Sequence, residues 1–239
     1  MRKSNPLEEH LKARLTRHLR GFELGDQPLR DVAAPHMVEF RWMQGRLLEE
    51  LGRLDEARAA YQGAADDPND RRHELDAVRG LLSIAVRRAD YPDAVVQARR
   101  LVQLAPLDAD AVANLGALLV ASGDAKGGRS EYLRALTGQG GFSSERAFLT
   151  TALRYLRAAI AARLDDGEAQ AARALAEQLA ADAPTDPSLR FIALALAHNR
   201  GEAGARAEIE RIEREARAAG ATAFADEVAA YLGAGLGAR

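Results

Sequence analysis

Asn114-Leu-Gly-Ala-Leu-Leu-Val-Ala-Ser-Gly-Asp124 continues to Tyr132-Leu-Arg-Ala135. The first part is apolar at helical spacing and stops at Gly123-Asp124, and a second periodic run carries Gly128, Tyr132 and Ala135 in steps of four and three. That is two helices joined by a tight turn, with small residues on the face where they meet. The same arrangement recurs on either side. Gly52-Arg-Leu-Asp-Glu-Ala57, Ala89-Asp-Tyr-Pro-Asp-Ala94, Gly167-Glu-Ala-Gln-Ala-Ala172 and Gly201-Glu-Ala-Gly-Ala-Arg206 read as further turns, whose first residues (with Gly123) lie 37, 34, 44 and 34 positions apart. Helices follow with stripes at Ala57, Tyr61, Ala64; Ala94, Ala98, Leu101; and Ala172, Ala176, Leu179. Pro68, Pro106, Gly138–Gly141, Pro184 and Pro187 break the pattern between units.

Two of the four spacings equal the period of about 34 residues of helix–turn–helix repeats. On Leu115, Gly116, Gly128, Tyr132 and Ala135, and on Gly45, Gly52, Ala57, Tyr61, Ala64 and Pro68 with Trp42 near the opening aromatic position, the chain resembles the tetratricopeptide repeat (TPR) family. The resemblance covers roughly residues 38–220. It implies an all-α fold, a right-handed α-solenoid of about five helical hairpins with a cap helix at each end. The expected organisation is an amino-terminal capping or dimerisation helix with its linker (1–37), the repeats (38–220), and a carboxy-terminal cap helix with a frayed tail (221–239). The step of 44 predicts a long first helix in the fourth unit, capped by Ser143 or Ser144, with Leu149, Leu153, Leu156, Ile160 and Leu164 along it. In the fifth unit the apolar face is Ala205, Ile209, Ile212 and Ala216.

Composition agrees. The 239 residues are 47% hydrophobic and only 5% aromatic, with alanine and leucine, both strong helix formers, dominating. Net charge is -2, which supplies no broad basic field for nucleic acid. There is no cysteine, so disulfides and thiolate chemistry are excluded. The start, MRKSNPLEEHLKARL, has no apolar core of a secretory signal, and no run approaches a membrane span. These features predict a cytoplasmic protein, and the alanine- and arginine-rich usage suggests a bacterial one. Leu7, Leu11, Leu15, Leu19 and Phe22 form a helical stripe beside Lys12, Arg14, Arg17 and Arg20, which suits either a cap or a homodimer contact.

One motif points elsewhere. Gly123-Asp-Ala-Lys-Gly-Gly-Arg-Ser130 fits a phosphate-binding loop except that Arg129 replaces lysine. Such a loop needs a strand before it, whereas Leu115–Ser122 has helical period, so the stretch reads as a turn between packed helices. His10, His18, His36, His73 and His198 have no metal-ligand spacing, and no cofactor is expected. In Glu208–Glu215 the acids stand four before arginines, at Glu210/Arg214 and Glu213/Arg217, as on a solvated helix face.

Function therefore turns on surfaces. The resemblance implies that the first helix of each unit lines a concave groove for peptides, without an enzymatic role. Positions there include Glu39, Trp42, Arg46 and Glu49; Asp76, Arg79, Ser83 and Arg87; Asp110, Ala113, Asn114 and Ala117; Arg154, Arg157 and Ala161; and Phe191, Ala195 and His198. The expected partner-binding residues are Trp42, Arg46, Arg79, Ser83, Asn114, Arg154 and Arg157. The planar fork of arginine suits carboxylates, so Arg79, Arg154 and Arg157 with Asn114 are expected to hold an acidic or polar segment of a protein partner. The alternative is a regulatory or sensory module that binds a peptide or small ligand within a larger assembly.

Overall fold

The computed structural model describes residues 37–66, 71–162 and 164–234. The expected amino-terminal stripe at 7–22, the break at Pro68, three of the histidines (His10, His18, His36) and the last residues of the tail lie outside them. Every named element among the described residues is a helix: α1 (Met37–Glu50), α2 (Leu54–Ala65), α3 (Arg71–Arg87), α4 (Tyr91–Leu104), α5 (Ala109–Ala121), α6 (Ala125–Thr137), α7 (Glu145–Ile160), α8 (Asp166–Asp182), α9 (Pro187–Asn199), α10 (Ala205–Ala218) and α11 (Thr222–Gly233). The chain forms two compact units. Unit one holds the described residues up to Asp124 with Gln139–Gly141, and unit two holds Ala125–Gly138 and the described residues from Phe142 onward. Within each unit every helix packs on the next, and α1 also packs on α3, as α7 does on α9.

Helix endings repeat. After α1, α3, α5, α9 and α10 one residue turns left-handed, at Gly52, Ala89, Gly123, Gly201 and Gly220. The next amide reaches back five residues each time, as in Arg53 N–H to the Leu48 carbonyl (2.9 Å), Asp90 to Ala85 (3.0 Å) and Asp124 to Leu119 (2.8 Å). This is the Schellman closure, which satisfies carbonyls that the helix leaves open. Helix starts are equally regular. Asp90, Asp108, Ser144, Asp165 and Asp186 each accept a first-turn amide.

The predicted turn at Gly167 is a correction. Gly167 lies inside the first turn of α8, behind its cap Asp165. Nor does the longer spacing come from a longer helix, since α7 has 16 residues and α3 has 17. The additional residues form the connection between Thr137 and Glu145. Part of it, Gln139–Gly141, joins unit one, where Ala109 N–H donates to the Gly141 carbonyl (3.3 Å) and a Cβ on Gly140 would come 2.5 Å from the Leu107 oxygen. The buried face of α7 matches the expected stripe only in part: Leu156 and Ile160 are buried as expected, together with Ala152, Tyr155 and Ala159, whereas Leu149 is exposed and Leu164 lies past the helix. Small residues and a tyrosine share that core with Leu156. On α10, Glu213 meets Arg217 (3.0 Å) as expected, whereas Glu210 pairs with Arg206 (3.1 Å).

The buried residues of α2, α4, α8 and α10 include the stripes read from the sequence. In unit one, helices pack closely around Tyr61. A Cβ on Gly45 of α1 would lie 2.6 Å from its ring, and one on Gly80 of α3 would lie 2.4 Å from it. Two helices thus approach one aromatic ring closely because each lacks a side chain there.

Two substitutions check this account. Ala89 occupies the left-handed position (φ 54°) that glycine fills at the other four closures. That conformation costs an L-residue roughly 1–2 kcal/mol, and the greater unfolded freedom of glycine offsets roughly 0.4–1 of it. Ala89→Gly is expected to stabilise the protein by about 0.5–1 kcal/mol in denaturant titration. Gly80→Ala is the opposite case. Alanine gains about 1 kcal/mol of helix propensity, but the ring cannot retreat from it towards Gly45, and overpacking costs roughly 1–3 kcal/mol. A net loss is expected, smaller in a Tyr61→Leu background, and an unchanged denaturation midpoint would contradict the packing.

Candidate functional site

In unit one, side chains of α1, α2 and α3 converge on one carboxylate, that of Glu49. One carboxylate oxygen accepts from the Tyr61 hydroxyl (3.0 Å), and the other accepts from Ser83 Oγ (2.7 Å) and lies 3.5 Å from Arg87 Nη1. Ser83, one of the expected partner-binding residues, is half-buried and donates to this carboxylate. Arg79 is exposed but already faces Asp76 (3.5 Å) and Asp108 (3.4 Å), the cap of α5. Asn114 is exposed on α5.

Trp42 and Arg46 lie beside this network, with Arg46 near enough to Tyr61 to offset part of the upward push on its hydroxyl. Trp42 is half-buried, its ring 6.2 Å from that of His73 on α3, and the Arg46 guanidinium carbon lies 5.4 Å above its centre. An arginine over an indole face is held by the ring's negative quadrupole. Arg46 is exposed and has no carboxylate in ion-pair range among the described residues. His73 is the member of this cluster that sequence reading missed, because only the packing of α3 on α1 brings it to Trp42.

In unit two, Arg154 and Arg157 are both exposed on α7, one turn apart. Arg157 grips Glu227 of α11, Nε to Oε1 at 3.1 Å and Nη2 to Oε2 at 3.4 Å. Phe191 and Ala195, which the resemblance places in the groove, are buried at 1% and 0% exposure. The reason is α11: Phe191 makes edge contacts with Phe224 and Tyr231, and His198 makes another with Tyr231. The Tyr231 hydroxyl donates to Asn199 Oδ1 (2.7 Å), with the Ala195 carbonyl also at 3.0 Å, and Asn199 Nδ2 donates to the Ile160 carbonyl (3.0 Å). Asn199 thereby links α7, α9 and α11. Glu227 and Tyr231 lie in the segment read from the sequence only as a cap.

The phosphate-loop lookalike is a helix junction. Helix α5 precedes Gly123, and Arg129 on α6 is buried, with Nη2 3.7 Å from Glu168 Oε2. Its Nε has no hydrogen-bond partner among the described residues. No cluster of potential metal ligands occurs among them either.

The buried tyrosines give the core a pH signature. Burial pushes the Tyr231 hydroxyl up to about 12. Tyr155 also rises to about 12, through burial and then the nearby Glu168 carboxylate. Tyr61 is raised as well, by burial and by its bond to Glu49. An unfolded tyrosine ionises near 10. Above that, the folded state retains protons that the unfolded state has lost. Stability is therefore fully present below about pH 10 and declines as pH rises towards about 12. Tyr231→Phe is expected to lower stability by roughly 1–2 kcal/mol at neutral pH by leaving Asn199 Oδ1 without its donor. It should also make the alkaline decline of the denaturation midpoint shallower.

No family model matches the chain, and no curated protein is found to be similar to it.

Proposed function

We propose that this chain is a TPR-like helical-repeat protein that acts as a non-enzymatic scaffold, holding an acidic or polar segment of a protein partner on the inner faces of its hairpins. The observation that carries the reading is Arg46 over Trp42. Most charges on the inner face of unit one are committed to neighbours: Glu49 to Tyr61 and Ser83, Arg79 to Asp76 and Asp108. Arg46 lies over an aromatic ring, is exposed, and has no carboxylate in ion-pair range among the described residues. Tryptophan and arginine dominate binding energies at protein interfaces, and a guanidinium can grip a carboxylate with two bonds. Further support comes from the regular closures and from the close approach of Gly45 and Gly80 to Tyr61, which suit stacked hairpins. No described helix is long and apolar enough to cross a membrane, and a cytoplasmic location belongs to the same reading.

The test is capture of partners from the source cell on the tagged full chain, followed by affinity measurement with the purified partner. Arg46→Glu is expected to weaken binding tenfold or more, about 1.4 kcal/mol. Arg79→Ala should do little, since that side chain is already engaged. A partner bound equally by wild type, Arg46→Glu and the folded Arg79/Arg154/Arg157→Ala variant would place recognition away from these faces and overturn the assignment.

A further inference from the structure

The Arg157–Glu227 pair is a carboxylate already bound where a partner's carboxylate is expected. Its geometry is the two-point fork that gives arginine its preference for carboxylates. One turn earlier on α7, Arg154 is exposed and has no carboxylate in ion-pair range among the described residues. It lies near enough to Tyr132 to offset part of the upward push that burial gives that hydroxyl. Two guanidinium groups thus share one stretch of α7, with an internal acid on one of them.

We infer that Glu227 is a built-in competitor: it occupies Arg157, and the Arg154–Arg157 pair takes an acidic protein segment when Glu227 releases it. This rests on the scaffold reading above and adds to it an internal occupant for the unit-two face.

Two features make the competitor releasable. First, the side chains of the pair are 53% and 38% exposed, so water and salt weaken their attraction and the contact is marginal. Second, Glu227 is not what anchors α11. Ala225 and Val228 are fully buried, Phe224 and Tyr231 pack on Phe191, and the Tyr231 hydroxyl is bonded to Asn199. The acid can swing away while its helix stays docked. A tethered competitor also sets a threshold, because an incoming segment must outbid a group held permanently nearby. A single carboxylate does so poorly. A segment with acids spaced to meet both Arg154 and Arg157 does so well.

The decisive measurement is the affinity of the full-length chain for a fluorescent oligoglutamate peptide at low salt, with thermal melting to show that each variant folds. Glu227→Gln keeps shape and removes charge. It is expected to tighten binding up to about fivefold, the inverse of the fraction of time the pair is open. Arg154→Ala/Arg157→Ala should abolish that gain in the Glu227→Gln background. If wild type and Glu227→Gln bind equally and both lose binding with the arginines, the face takes acids but Glu227 is no competitor, and the inference fails alone. If the arginine variants bind as well as their parents, the acidic reading of this face fails with it. Tighter, arginine-dependent binding of a single-stranded oligonucleotide than of oligoglutamate would overturn the assignment of a protein partner.

Discussion

The polar cluster around Glu49 in unit one depends on a tyrosine ring lying between two glycines. Gly45 on α1 and Gly80 on α3 both meet Tyr61 at distances where no Cβ fits. Packing at this density leaves the ring one position, and its hydroxyl one carboxylate to reach, that of Glu49. With α1 and α3 fixed so closely, Ser83 and Arg87 come to the same carboxylate, and His73 comes to Trp42. A steric constraint in the core thereby becomes a chemical arrangement on the surface.

Unit two reaches a comparable end by other means. Its linking residue is Asn199, which donates to the end of α7 and accepts from Tyr231 of α11. An amide can do both because it carries donors and an acceptor, whereas a carboxylate like Glu49 can only collect donors. The difference shows in what is left over. Around Glu49 one cation, Arg87, lies at the carboxylate, and Arg46 sits on an indole. Around Asn199 the amide leaves no charge to attract, so Arg157 reaches for Glu227 and Arg154 remains without an acid.

Some of this was legible in the sequence and some was not, for physical reasons. Ala57, Tyr61 and Ala64, and likewise Ile209 and Ile212, announce buried faces through period alone, because burial within a helix is a local pattern. The turn positions were legible because the left-handed closure favours glycine, and Ala89 was recognisable only through its spacing from Gly52 and Gly123. Gly167 misled because a glycine in a first helical turn looks like one in a closure. Leu149 misled because Tyr155, Ala152 and Ala159 fill the core of α7 beside Leu156 and Ile160. Arginines could be assigned to a face, but Arg79 with Asp108 and Arg157 with Glu227 are partners 29 and 70 residues apart, set by tertiary packing that no local pattern encodes.

Arg129 shows how far residue identity alone can mislead. A phosphate loop and a helix–turn–helix closure both need glycine where the backbone turns left-handed and where elements crowd together. They diverge in what precedes the turn. A strand delivers successive amides pointing into an open cradle, whereas α5 uses the amides of Gly123 and Asp124 to close its own end, on Val120 and Leu119. Those donors are spent before any anion could meet them. The cation at the lysine position is then free for another task, and it lies buried beside Tyr155 and Glu168, where its charge partly counters the upward push on the tyrosine hydroxyl. A buried guanidinium with one long ion pair and an unmet Nε is costly to keep. Such a group favours one seating of α6 against α8 over alternatives that would leave the charge wholly unpaired. In this turn, then, the residues that resemble a ligand site close the end of α5 and bury a guanidinium beside Glu168.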